Sequence, residues 1–131
     1  MTKLDLVILK KKLAICQLSL KDSIPDPSKL GDFWSITKTN DEISIIVSEN
    51  LIPLGNCKTE KGWRAIKVIG PLYFSLTGIN ATLSTALAKA GISIFAFSTY
   101  NTDYILVKEK NLEQTKEVLG KSGHNIIELH Q

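Results

Sequence analysis

The chain has 131 residues, 44% of them hydrophobic, with 16 Lys and Arg against 13 Asp and Glu, eight Gly, four Pro and two Cys. A globular chain of this length buries roughly two thirds of its unfolded surface, so it forms a core without metal or disulfide, while a Rossmann dehydrogenase, a kinase or a TIM barrel needs about twice the length. The net charge of +3 lies in residues 1–67, where eleven basic face eight acidic residues; this is less basic than a dedicated nucleic-acid binder.

In chain order, Leu4 to Leu9 and Leu13 to Leu18 read as two strands, with Lys10, Lys11 and Lys12 as a solvated turn between them. A Pro-containing loop from Ser23 to Gly31 leads to strands at Phe33 to Thr37 and Ile43 to Val47. Pro53 to Lys61 reads as a linker. Cys16 falls in an apolar run and is expected in a core, and Cys57 in a polar stretch as an exposed thiol. The pair has no metal spacing and suits a reducing compartment. The first residues, Met-Thr-Lys-Leu-Asp, lack the apolar segment of a signal peptide, so a cytoplasmic location is expected.

Arg64 to Ile69 alternates as a strand that Gly70-Pro71 ends. Leu76, Ile79, Leu83, Ala86, Leu87 and Ala90 recur at helical spacing from Ser75, and Gly91 stops that helix. Ile92 to Phe97 reads as a buried strand, Thr99 to Thr102 as a turn and Asp103 to Lys108 as the returning strand. Asn111 is the expected cap of a second helix with Leu112, Thr115, Val118 and Leu119 inward, ended by Gly120 and Gly123. Asn125 to Leu129 is a last strand. The order β-α-β-β-α-β is the ferredoxin-like split unit. Val68 to Ala88 carries no charge, yet its glycines, Pro71 and hydroxyl residues make it too polar and interrupted for a membrane span.

The first half echoes the second. Ile36 to Ile46 aligns with Phe97 to Val107 at an offset of 61, and Ala14-Ile15 with Ala65-Ile66 at 51, implying two copies of one hairpin-bearing unit. The boundaries expected are residues 1–61, with a shortened helix, and residues 62–131.

Catalytic and metal-binding groupings are absent from the pattern. His124 and His130 have no partner at triad or ligand spacing, and no HExxH, GxSxG or phosphate-binding loop occurs, so neither enzyme activity nor a cofactor or metal is expected. Two polar segments stand out. Gly70 to Gly78 leads from a strand into a helix N-terminus, whose unpaired N–H groups receive a carboxylate or phosphate, with Ser75 and Thr77 as added donors; equally, Ser75 reads as a simple N-cap. Ser98 to Asp103 is echoed by Thr37 to Glu42, aligning Glu42 with Asp103. A carboxylate there pairs with an ammonium or guanidinium group, and the two segments together suit a zwitterionic amino acid.

The stretches Gly62 to Ile79 and Leu87 to Val107 resemble small bacterial ACT domain proteins built of tandem ACT units, and Trp34 to Ser44 is similar to the matching motif of their first unit. The arrangement also resembles the ACT pairs of aspartate kinases and of CASTOR-type amino-acid sensors. The resemblance implies an α+β fold of tandem βαββαβ units, the first degenerate, with antiparallel sheets and helices on one face. It implies a non-catalytic regulatory or sensor protein that binds an amino acid at an interface between ACT units.

Carried over by position, the ligand-binding set is Gly70, Leu72, Phe74, Ser75, Thr77 and Gly78, with Ser98, Thr99, Asn101 and Asp103 on the neighbouring strand end and Thr37, Thr39 and Glu42 as their copies. An acidic residue is common in the family where Tyr73 stands, and its replacement removes a charge partner for a ligand with a cationic side chain. A homodimer and a separate effector protein are the partners implied, without nucleic acid or membrane. Two other readings remain open at this point: an RNA-binding module of the RRM type, against which Asp103 at the start of the central strand weighs, and a ligand-free interaction scaffold.

Overall fold

The computed structural model describes residues 3–51, 57–69 and 78–130, apart from the side chains of Ile79 and Asn80. The chain forms two units, Met1–Lys10 with Arg64–Gln131, and Lys11–Trp63. The first ten residues thus belong with the second half, and the boundary is not a single cut after Lys61. The reason is in the core: Leu4, Leu6 and Ile8 are buried in one cluster with Ile66, Val68, Leu83, Leu87, Ile105, Val107 and Leu119.

Strand β1 (Asp5–Leu18) supplies residues to both units. Lys10, Lys11 and Lys12 are exposed within it and form no turn. Three lysines offer none of the Gly, Asn, Asp or Pro chemistry that reverses a chain, and a strand carries them in water without losing its ladder. The burial pattern changes at this triplet, from Leu6 and Ile8 in one core to Ala14, Cys16 and Leu18 in the other.

In the unit Lys11–Trp63, β1 pairs antiparallel with β3 (Ile43–Ser48), from Leu13 opposite Ser48 to Leu18 opposite Ile43. In turn β3 pairs with β2 (Trp34–Lys38). Where a full ferredoxin-like unit has its first helix, this one has a single 3-10 turn, Pro27–Lys29, capped by the Asp26 carboxylate on the Ser28 amide at 3.1 Å. The same connection places Leu30 in the core with Ala14, Cys16, Ile43, Ile45 and Val47. The expected shortened helix is therefore this one turn.

Strand β4 (Lys58–Val68) begins inside the stretch expected as a linker. It continues through Gly62, whose φ of +80° only glycine adopts cheaply inside a strand, and whose amide donates to the Glu49 carboxylate at 3.1 Å.

The other unit follows the order β4, α1 (Ile79–Lys89), β5 (Ile94–Ser98), β6 (Asp103–Lys108), α2 (Leu112–Lys121) and β7 (Asn125–Glu128). Its strands lie in the order β7-β1-β4-β6-β5. The split βαββαβ pattern is present, with one addition: the start of β1 lies between β4 and β7 and pairs with β7 in parallel, Asp5 opposite Asn125 to Ile8 opposite Glu128. Leu83 and Leu87 of α1 and Leu112 and Leu119 of α2 share a core with Ile66, Val68, Ile105 and Val107. Because alternate strand residues share a face, both helices cover the same face of this sheet.

Three local expectations shift. The expected buried strand Ile92 to Phe97 is seen as β5, an edge strand that is only half-buried. Asn111 ends a 3-10 turn, Glu109–Asn111, and its side chain makes no cap. Gly120 lies inside α2, and the chain leaves the helix at Gly123 with φ +95°.

His124 sits at the corner between α2 and β7, 6% exposed, with Nδ1 accepting the Leu4 amide at 3.1 Å. Burial holds its imidazole below the ordinary value of 6.5. As pH falls through 6.5 the unfolded chain takes up the proton first, so stability that is complete above that pH declines below it. A protonated ring also loses its acceptor for Leu4. Urea titrations between pH 7 and 5 are expected to show falling stability in the native protein. His124→Asn, which keeps an acceptor oxygen, is expected to flatten that slope; an unchanged slope assigns it to other groups.

Candidate functional site

Of the residues singled out by sequence, Gly70, Leu72, Phe74, Ser75 and Thr77 lie outside the described residues, as does Tyr73. Gly78 is described. It precedes α1 with φ +83°, and its carbonyl accepts from the Thr82 amide at 2.8 Å and the Thr82 hydroxyl at 2.9 Å. The left-handed turn suits glycine, and a side chain there would meet nothing within 4 Å. The first turn of α1 carries no acidic residue to take up its N-terminal dipole.

The β5–β6 turn brings Ser98, Thr99, Asn101 and Asp103 together. Ser98 and Asp103 are opposite each other across the hairpin, and the Ser98 hydroxyl donates to the Asp103 carboxylate at 2.5 Å. The Thr99 amide closes the turn on the Thr102 carbonyl at 2.9 Å, and Asn101 is exposed at its tip. Thr102, 7% exposed, donates its hydroxyl to the Val68 carbonyl. That bond fastens the turn to the end of β4, from which residues 70–77 lead to Gly78. Thr102 was not in the expected site, because a threonine in a polar loop carries no sign of a long-range backbone contact.

Asp103 stands on the same strand face as Ile105 and Val107, the face the helices cover. A half-buried carboxylate there, held by one hydroxyl, has acceptor capacity left for a cationic group.

Thr37, Thr39 and Glu42 lie in the other unit. Thr39 closes the β2–β3 turn, its amide donating to the Glu42 carbonyl at 2.9 Å and its hydroxyl accepting from the Asp41 and Glu42 amides at 3.1 and 3.2 Å. Thr37 is exposed and pairs with Ser44.

The repeat is real, but its register is 60, not 61: Trp34 corresponds to Ile94, Ile43 to Asp103 and Glu49 to Glu109, the starts of matching elements. Glu42 therefore matches Thr102. The counterpart of Asp103 is Ile43, 1% exposed in its core. A slip of one residue moves every side chain to the other face, so Glu42 is not a second copy of the Asp103 carboxylate.

Among the described residues, no group of three or more His, Cys, Asp or Glu is arranged to hold a metal ion. No described helix is long and apolar enough to cross a membrane.

The pattern of the ACT domain matches residues 58–121, and a pattern describing an N-terminal domain matches residues 11–55. The human cytosolic arginine sensor for mTORC1 subunit 1 is 33% identical over 104 residues, which are 74% of this chain and 31% of the sensor. The chain thus spans about a third of the length of that relative. The crystal structure of protein Atu0741 from Agrobacterium tumefaciens matches with a TM-score of 0.90 and 35% identity, over 100% of this chain and 97% of that one. The regulatory subunit of aspartate kinase from Thermus thermophilus shares the fold, with a TM-score of 0.63 at 11% identity over 90% of this chain and 96% of that one. With its split βαββαβ unit and the match over residues 58–121, the chain carries a domain of the ACT family.

Proposed function

We propose that the protein is a non-catalytic regulatory protein that binds a free amino acid on its ACT unit. The observation that carries this reading is the Asp103 carboxylate beside a turn fastened by Thr102 to the end of β4. The chain leaving that end leads to the N-terminus of α1 at Gly78. A carboxylate suits the ammonium of an amino acid, and a helix N-terminus suits its carboxylate. The name of the human relative makes arginine the first ligand to test.

The proposal includes a homodimer and a separate effector protein. Support for the former is β5, an edge strand whose residues Ile94, Phe95, Ala96, Phe97 and Ser98 include no charge or proline to discourage pairing.

A thermal-shift screen of the common amino acids is expected to find at least one stabilising ligand, since binding to the native state alone raises apparent stability. Asp103→Asn is expected to weaken that ligand by about 1.5 to 3 kcal/mol, as for a lost charge-assisted hydrogen bond. Absence of any shift contradicts the amino-acid reading. Unchanged affinity in Asp103→Asn removes this carboxylate from the site. A salt-dependent response to RNA without one to amino acids favours the RNA-binding alternative.

A further inference from the structure

We propose that Cys16 and Cys57 are an exchange-active thiol pair, which closes to an intramolecular disulfide on reaction with a small disulfide such as oxidised glutathione. Cys16 lies on β1, 1% exposed, within the core of the unit Lys11–Trp63. Cys57 immediately precedes β4, half-buried, and packs against that same core. Neither is in a disulfide. The Thr59 hydroxyl reaches both sulfurs: it donates to Cys16 Sγ at 3.7 Å and lies 3.3 Å from Cys57 Sγ. β4 lies beside β1, so one hydroxyl at the start of β4 reaches both thiols, although 40 residues separate them in the chain.

The unequal burial orders the steps. The Cys57 thiolate, the more accessible, attacks one sulfur of the small disulfide and expels the other half as a thiolate, leaving a mixed disulfide on Cys57. The Cys16 thiol then loses its proton to solvent, and its thiolate attacks Cys57 Sγ and expels the second half. In sum, two protein thiols become one disulfide and one small disulfide becomes two thiols, with electrons and protons conserved. Burial raises the Cys16 pKa, the Thr59 hydrogen bond offsets part of that rise and Cys57 adds to it, so closure quickens with pH. The product joins the two strands and restricts the unfolded chain across the whole span between them.

The test treats the reduced full chain with oxidised glutathione at mildly alkaline pH, quenches with acid, and reads intact mass and peptides. The native protein is expected to lose the mass of two hydrogens, to yield joined peptides carrying Cys16 and Cys57, and to unfold at higher urea until dithiothreitol reverses both changes. Cys16→Ala is expected to stop at one glutathione on Cys57, and Cys57→Ala to react at least about tenfold more slowly at Cys16. A native protein that stops at a lasting glutathione adduct, or that forms only disulfide-linked dimers, overturns the proposal. That arm decides the matter even if a variant fails to fold.

Discussion

Replacing Arg64 with Met is expected to destabilise the protein by about 3 kcal/mol, because it takes both hydrogen bonds from the Leu9 carbonyl and a buried cation from beside Glu109 and Glu128. Arg64 is 6% exposed. Its Nε and Nη2 donate to the Leu9 carbonyl at 3.0 and 2.8 Å, and the guanidinium approaches Glu109 at 3.5 Å and Glu128 at 3.6 Å. One side chain thereby connects β1, β4, the turn after β6 and β7. Lys116 is bonded to both Glu128 and Glu113. Met keeps much of the stem volume, which confines the loss to the polar contacts. Arg64→Lys is expected to recover less than half of it, since an ammonium cannot present the same planar fork. Urea denaturation reads the difference, and a loss under about 1 kcal/mol for Arg64→Met would show that the network contributes little.

The second large effect is expected at Ile8. It is 1% exposed and packs in the core that includes Ile66, Leu87 and Val107. Ile8→Ala is expected to cost about 2 to 5 kcal/mol, the range for emptying a well-packed aliphatic site. The location of the loss matters more than its size. Hydrogen exchange is expected to quicken in α1, β6 and α2, more than fifty residues away in the chain, because the first ten residues complete that unit. Faster exchange confined to β2 and β3 would instead support a boundary near residue 61.

This pairing marks where the sequence is hard to read. The β5–β6 hairpin and the inward faces of both helices were legible, because alternation and helical spacing are local signals: Leu83, Leu87, Leu112, Thr115 and Leu119 are all buried. That β1 lies between β4 and β7 has no local signal, since Asp5 meets Asn125 across nearly the whole chain. The lysine triplet misled for a related reason. A break in hydrophobic pattern suggests a turn, while here it marks a strand passing from one core to another.

Within the candidate site, Asp103 and the turn around it were legible as polar residues between apolar strands. The offset of 61 aligned Glu42 with Asp103 because two acids matched well as letters. Strand pairing restores 60 and puts Ile43 in that place. The role of Thr102 was hidden, since only the fold brings Val68 to its hydroxyl.

The most direct test of amino-acid binding at this end of the ACT unit is hydrogen exchange followed by mass spectrometry, with and without the amino acid that gives the largest thermal shift. Binding there predicts slower exchange in peptides covering Ser98–Asp103 and the first turn of α1, with little change in β2 and β3. Protection confined to other segments, or none at saturating ligand, would contradict it.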